Sequence, residues 1–222
     1  MAINNISLRK LLRLFYMTPP QLTAALRADI RNEISKANGT QSSGGDFHIP
    51  FWSDAKEHVA GVSNLSEQTK IRVAKNRARQ RLYPLLELGF LQWWNEKRRW
   101  SNQEFEFLSD AVKGRFQEPN LDVIVKIENI LALKIDDDTN RLIYPYFSEE
   151  PRLQAEGARI ALWLLSNTFE NFQIEDMRVL DILRSESFSI SEAPLQGNEE
   201  DLFLTRYRHV QERWVFLRED YD

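Results

Sequence analysis

Two of the three histidines fall in one short stretch, residues 46–58, which reads DFHIPFWSDAKEH. Its candidate catalytic residues are Asp46, His48, Asp54 and His58. Imidazole and carboxylate groups are ligands for zinc, iron or manganese, and histidine has the near-neutral pKa of a general base. However, the spacing matches no HExxH or other metal motif. The stretch therefore also fits a polar loop anchored by its aromatic residues, and the sequence indicates no cofactor or metal.

A basic run follows, which we interpret as a helix from Lys70 to Arg81. At about 100° per residue, its cations form two flanks beside a narrow apolar stripe. Tryptophans alternate with further cations over residues 93–100, a combination that suits phosphate contacts and base stacking. The candidate binding residues are Lys70, Arg72, Lys75, Arg77, Arg79, Arg81, Trp93, Trp94, Lys97, Arg98 and Arg99. The alternative places the tryptophans in the core and the long basic side chains along its surface.

The charges divide unevenly along the chain. Residues 1–100 contain 16 Lys and Arg against 8 Asp and Glu, whereas residues 101–222 contain 13 against 25. Such asymmetry is typical of a basic surface that contacts a nucleic acid or an acidic protein partner. It also fits two halves that face and partly neutralise each other. No helix-turn-helix or other nucleic-acid-reading motif decides between these interpretations.

The strongest strand signal lies in Leu121 to Phe147, where apolar and polar residues alternate with period two. The polar residues 136–140, DDDTN, have the composition of a turn. The pattern predicts a β-hairpin. Because proline cannot donate a hydrogen bond to a β-ladder, Pro145 predicts that the return strand, Arg141 to Phe147, is an edge strand or loses its pairing there.

The remaining patterns predict the fold class. Helices are predicted at residues 7–16, 18–38, 53–61, 66–82, 84–94, 101–114, 151–169 and 198–221, and strands at 177–184 and 188–190. The chain is predicted to be an α+β protein. Its helical N-terminal half, residues 1–100, packs on a small mixed β-sheet with flanking helices in residues 101–222. We expect the two halves to form one unit, because the connections near residue 101 are short.

Composition bounds the cellular setting. The chain has no cysteine, which excludes disulfides and thiolate sites and fits a reducing cytoplasm. The first residues, MAINNISLRKLLRLFYM, lack the pattern of a secretory signal because cations interrupt the apolar run. Apolar runs such as Ala161 to Leu165 are far too short to span a bilayer. We therefore expect a cytoplasmic protein without a membrane partner.

The order hairpin, helix, strand over residues 121–190 resembles the core of the restriction-endonuclease-like fold. The resemblance implies a mixed sheet flanked by helices and a metal-binding acid followed by an acid-x-Lys pair. The strand that should carry this pair, Arg141 to Phe147, carries none. The nearest substitutes are Asp122 and Glu128 with Lys126 or Lys134. The segments VKIENILALKI, RLIYPYFSEEP, RIALWLL and MRVLDILR also resemble bacterial proteins of similar size to which no activity is assigned.

The leading functional hypothesis is a non-enzymatic binding or adaptor protein whose basic helical half contacts a nucleic acid or an acidic protein. An alternative is a metal-dependent hydrolase or nuclease that uses the histidine-containing stretch at residues 46–58, or Asp122 and Glu128. Phosphodiester chemistry of that kind needs carboxylates that converge on the ion. A third hypothesis is an oligomeric scaffold with the N-terminal arm and the last helix as its interfaces.

Overall fold

The computed structural model describes residues 3–39, 46–98, 102–108, 112–118, 121–135 and 139–221. Within these ranges, seven α-helices accompany eight β-strands in two mixed sheets, which confirms the predicted α+β class. The helices are α1 (Leu8–Phe15), α2 (Pro19–Ala37), α3 (Ile49–Val59), α4 (Leu65–Lys75), α5 (Tyr83–Gln92), α6 (Ala155–Thr168) and α7 (Glu199–Arg218). The strands are β1 (Asn5–Ser7), β2 (Glu106–Phe107), β3 (Gly114–Glu118), β4 (Val123–Ile127), β5 (Leu131–Lys134), β6 (Asn140–Tyr146), β7 (Met177–Asp181) and β8 (Glu186–Phe188).

The larger sheet has the strand order β2-β5-β6-β7-β8. The predicted hairpin is present as the antiparallel pair β5–β6, although its turn residues 136–138 lie outside the described residues. Helix α6 then connects β6 to the parallel strand β7. The edge-strand prediction for Arg141 to Phe147 is wrong, because β6 is the central strand of this sheet. Its ladder with β5 ends at Ile143, before Pro145, but the parallel ladder with β7 continues past the proline.

The smaller sheet has β4 between β1, which is parallel to it, and β3, which is antiparallel. The alternation of apolar residues from Val123 to Ile135 predicts one continuous strand before the turn, but the structure divides it between two sheets, as β4 and β5. Asn129 lies at the division with a left-handed φ of 66°, which no extended strand can contain. Its carbonyl oxygen accepts a hydrogen bond of 2.5 Å from Trp52 Nε1 of α3. This tertiary contact stabilises a bend that the alternating pattern conceals.

Two hydrophobic cores lie on opposite faces of the larger sheet. The first contains α1, α2, α6, α7, strand β4 and one face of β6 and β7. The second contains α3, α5 and the other face of β5 and β6. Both cores combine residues from before and after residue 100. The division of the chain into two halves at residue 100 stays a prediction. The helical spacing of the apolar residues from Phe203 to Tyr221 predicts a single stripe along the last helix. The structure buries its members on α7: Phe203, Tyr207, Val210, Trp214 and Leu217.

The helix predicted from Lys70 to Arg81 is present only up to Lys75, where α4 ends, and its extension to Arg81 is wrong. Asn76 has extended backbone angles, φ −146° and ψ 106°, and its side-chain oxygen accepts the backbone N–H of Ala78 at 3.0 Å. This local hydrogen bond competes with the helix and starts a 3-10 turn, Arg77–Arg79. The cations after residue 76 therefore do not continue the two flanks that a single helix would form.

Two further predictions for this region are also wrong. The spacing of Leu85, Leu88, Leu91 and Trp94 predicts that these residues of the helix at 84–94 face the core. Leu85 and Leu88 are instead 46% and 67% exposed, because Leu86 and Phe90 face inward. No helix occupies the described part of residues 101–114, where Phe107 instead pairs with Leu133 across β2 and β5. Pairing with the sheet edge outweighs the local helix-start signal there.

No helix among the described residues is long and apolar enough to cross a membrane.

Candidate functional site

Asp46 and His48 lie side by side against α1. The Asp46 Oδ1 atom accepts the backbone N–H of His48 at 2.9 Å and lies 3.7 Å from the His48 Nδ1 atom. Arg9 of α1 donates to the other Asp46 carboxylate oxygen in an ion pair. Two of the four candidate catalytic residues are therefore brought together, with a cation that the sequence analysis did not associate with them.

The imidazole of His48 stacks on the ring of Phe147, just after β6, with centroids 4.8 Å apart and an interplanar angle of 17°. Burial and, after it, the positive charges of Arg9 and Arg13 lower the pKa of His48 to about 4, against the opposing effect of Glu149. His48 is consequently a neutral imidazole at neutral pH. It can accept or donate a hydrogen bond without adding a charge to its surroundings.

We expect His48 to make folding stability depend on pH. The unfolded chain takes up a proton at His48 near pH 6.5, whereas the folded chain does so only near pH 4. The stabilisation is therefore complete above pH 6.5, and about 2 kcal/mol of it is lost as the pH falls to 4. Urea unfolding of the wild type and of His48→Gln at both pH values should show a shallower pH dependence in the variant. A matched His209→Gln variant, exposed on α7, should keep the wild-type slope; equal slopes for all three proteins would contradict this role.

The other two candidate catalytic residues, Asp54 and His58, lie on α3, away from this pair. Asp54 is only 3% exposed and accepts two hydrogen bonds, of 2.9 and 2.8 Å, from Arg72 of α4. This charge-assisted fork attaches the two helices to each other. His58 is half-buried near the end of α3. Among the described residues, no three His, Asp or Glu side chains are grouped so that they could hold a metal ion.

Asp122 and Glu128 flank β4 at its opposite ends. The five residues of β4 lie between them, and the six steps along the extended chain separate their Cα atoms by about 20 Å, which is too far for two ligands of a single ion. Lys126 lies on β4, and Lys134 lies on β5 in the other sheet. The structure therefore does not bring these four nuclease-type substitutes together around one point.

The basic candidate residues separate into engaged and exposed groups. Arg72 is bound to Asp54, Arg81 pairs with Glu149 at 2.5 Å, and Arg79 lies over the ring of Tyr83 at 5.2 Å. The remaining cations of the run are exposed, and no described acidic side chain forms an ion pair with them: Lys70, Lys75 and Arg77. The run is thus partly structural, and its exposed charges do not form one helical face.

Trp93 and Trp94 lie on a π-helical turn, Trp93–Lys97, that extends α5. They are 2% and 7% exposed and pack in the second core, so their rings are not available for stacking on bases. Arg98 lies over the ring of Trp94 at 3.7 Å. Arg99, the last of the candidate binding residues, lies outside the described residues. The aromatic contribution that the sequence suggested is therefore internal packing.

A basic cleft of about 480 Å³ opens beside this π-helical turn and the end of β7. We call it the arginine cleft. Its described cations are Lys97, Arg98, Arg152, Arg178 and Arg184, and its described carboxylates are Glu186 and Glu192. Four serines at positions 185, 187, 189 and 191 also line it. Two of the cations were candidate binding residues, and the other three belong to the acidic half of the chain.

The fold holds the side chains of the arginine cleft in place. Arg184 lies 3.2 Å from the fully buried carboxylate of Asp181 and donates to the backbone carbonyls of Ser148 and Glu149 at 3.0 and 2.6 Å. Ser185 has a left-handed φ of 51°, and its hydroxyl donates to the Gln92 side chain at 2.9 Å. These bonds tie the turn after β7 both to the end of β6 and to α5.

Arg152 completes the arginine cleft through an exposed pair with Glu186 at 2.6 Å. Sequence reasoning missed Arg152, Arg178 and Arg184 because they are scattered through a half with excess negative charge. The arginines that flank the apolar residues in MRVLDILR were the available signal.

No family model matches this chain, and a search of curated proteins also found no match.

Proposed function

We propose that this protein is a non-enzymatic binding protein that holds a nucleic acid by its phosphate groups in the arginine cleft. Among the described residues that line this one concave surface, five are cations and two are carboxylates. This excess of positive charge is the observation that carries the proposal. Guanidinium groups match phosphate oxygens with a planar fork of donors, and serine hydroxyls can donate to the same oxygens. These features favour phosphate over the carboxylates of an acidic protein.

The burial of Trp93 and Trp94 determines what kind of binding is expected. Without exposed rings for stacking, the contacts are made to the backbone of the nucleic acid. Backbone contacts tolerate many sequences and weaken steeply with salt, because bound counterions are released on association. We therefore expect little preference between unrelated sequences of equal length.

Lys97→Gln should weaken binding of DNA and RNA by several-fold at low salt, because Lys97 is exposed at the cleft and provides one phosphate contact. Losing one such contact should reduce the slope of log affinity against log salt by about 1. Filter binding of single-stranded and duplex probes at about 50 and about 200 mM salt measures both quantities. Lys36→Gln, which removes an exposed lysine near the end of α2, is the matched control.

Two outcomes would contradict the nucleic-acid proposal. One is the absence of binding by the wild type at low salt with every probe. The other is an equal affinity and salt slope for the Lys97→Gln and Lys36→Gln variants, which would show that the contact lies outside the arginine cleft. Binding of an acidic protein but of no nucleic acid, weakened by Lys97→Gln and unchanged by Lys36→Gln, would assign the cleft to the alternative partner.

A metal-dependent hydrolase stays a second proposal, supported by the proximity of Asp46 and His48. The resemblance to the restriction-endonuclease-like core also stays a proposal. The hairpin β5–β6, followed by α6 and the parallel strand β7, supports it, although β6 carries no acid-x-Lys pair. Metal analysis of the purified protein and substrate screening with added magnesium or manganese test this function. The absence of both stoichiometric metal and activity would contradict it.

An oligomeric scaffold is the third proposal, supported by Val215 and Phe216, which are exposed near the end of α7. Light scattering tests it, because a monomer at all concentrations would contradict a scaffold. The cysteine-free composition supports a cytoplasmic setting for each of the three proposals.

A further inference from the structure

A second cleft lies between α1, α2 and the chain just after β6. It consists of two adjoining hollows of about 660 and 440 Å³. Both are lined by the same central residues, Arg13, Met17, Ala25, His48, Phe147 and Ser148. We call it the His48 cleft. It is separate from the arginine cleft, which shares none of these lining residues.

Most charges around the His48 cleft are already paired. Asp46 is bound to Arg9, and Asp29 lies 2.6 Å from the Lys10 ammonium group. Glu149 is bound to the exposed Arg81, and Glu150 is exposed to solvent at the rim. The central cation is Arg13, which is exposed and has no ion-pair partner among the described carboxylates. One guanidinium fork is therefore available at the centre of the cleft.

Two arginines of α1, Arg9 and Arg13, line the cleft beside His48. After burial, the largest influences on the pKa of His48 are the charges of Arg9 and Arg13, and both lower it. The opposing influence of Glu149 is smaller. Both arginines therefore oppose a further positive charge beside the imidazole. This conclusion agrees with the geometry, in which two arginines of α1 flank the same side chain.

The walls of the cleft are apolar. Met17, which connects α1 and α2, and Ala25 of α2 form one side, and the His48 ring, stacked on the buried Phe147, lies opposite. A ligand that fills this space therefore buries hydrocarbon against methyl, thioether and aromatic surfaces. A small inorganic ion would leave these walls without a partner.

We propose that the His48 cleft binds a small monocarboxylate that has an apolar body. The carboxylate pairs with the guanidinium of Arg13 beside His48, and the body packs between Met17 and Ala25. A single negative charge matches the single available guanidinium. A doubly charged phosphate would exceed it, and an ammonium group would be repelled.

Titration of the full chain with benzoate, followed by calorimetry and by NMR of the histidine side chains, tests the proposal. Saturable binding is expected, with larger shifts for the His48 resonances than for those of His58 or His209. Arg13→Gln should weaken benzoate binding at least tenfold. The matched Arg208→Gln variant, which removes an exposed arginine of α7, should bind as the wild type does.

A second variant tests the space in the cleft independently of its positive charge. Ala25→Leu fills the shared part of the two hollows and leaves Arg13 unchanged, so it should also abolish benzoate binding. Three results would overturn the proposal. They are unchanged benzoate affinity in Arg13→Gln, equal affinity for benzylammonium and benzoate, and tighter binding of inorganic phosphate than of benzoate at the His48 resonances.

Discussion

Replacing Glu199 by alanine is expected to lower the free energy of unfolding by about 3–5 kcal/mol, because it leaves the positive charge of Arg159 buried without its partner. Glu199 is 2% exposed at the first position of α7, and Arg159 lies in the first core on α6. Arg159 Nη1 lies 3.1 Å from Glu199 Oε1 but makes no hydrogen bond of acceptable angle. The attraction between them is therefore mainly Coulombic.

The Glu199 carboxylate also organises the start of α7. Its two oxygens accept hydrogen bonds from the backbone N–H groups of Gln196 and Gly197 at 2.8 and 3.0 Å. The side chain of Asn198, the N-cap residue, makes no capping hydrogen bond. Removing the carboxylate therefore also leaves two backbone donors without their acceptors. This second loss adds to the cost of the unpaired arginine.

Urea unfolding of the full chain measures the effect of Glu199→Ala. The matched control is Glu200→Ala, which changes an exposed residue in the same helical turn and should stay within about 0.5 kcal/mol of the wild type. The double variant Arg159→Met/Glu199→Ala should recover part of the lost stability, because it removes the buried charge. Equal stabilities for the two single variants would show that this ion pair does not hold α7 on α6.

Gly89→Ala is expected to lower the free energy of unfolding by about 2 kcal/mol or more. A β-carbon at this position of α5 would overlap the carbonyl oxygen of Ile182 and lie 3.0 Å from its carbonyl carbon. Because both obstructing atoms belong to the backbone, no side-chain rotation relieves the clash. Intrinsic helix propensity alone predicts the opposite sign, a gain of about 1 kcal/mol from alanine.

The same substitution tests how the arginine cleft is assembled. The turn that Gly89 contacts, Ile182–Arg184, carries Arg184 and immediately precedes Ser185. Displacing it should weaken nucleic-acid binding in addition to stability. Thermal and urea unfolding, with Leu88→Ala as an exposed control on the same helix, measure the stability change. A Gly89→Ala protein at least as stable as the wild type would contradict close packing of α5 on this turn.

Local patterns in the sequence determined several elements correctly. Thr18 and Gln21 have the spacing of a capping box, which predicts the start of α2, and Gln21 accepts the backbone N–H of Thr18 at 3.0 Å. This interaction and the apolar stripe of α7 depend on neighbours within a few residues. The hairpin β5–β6 also follows from alternation on either side of a polar turn. Together with the composition, these signals were sufficient for the α+β class. They also located Asp46 and His48, which are only two residues apart.

Only the tertiary structure decided where the alternating strand divides, where the basic helix ends and which charges are available. Asn129 bends the chain because Trp52, distant in sequence, binds its carbonyl. Residues 106–107 form a strand because an edge of the larger sheet is open to them. Both clefts combine side chains separated by many residues, from Lys97 to Arg184 in one and from Arg13 to Phe147 in the other. The periodicity of a single segment carries no information about such distant partners, because their proximity arises only when the sheet and its two helical layers assemble.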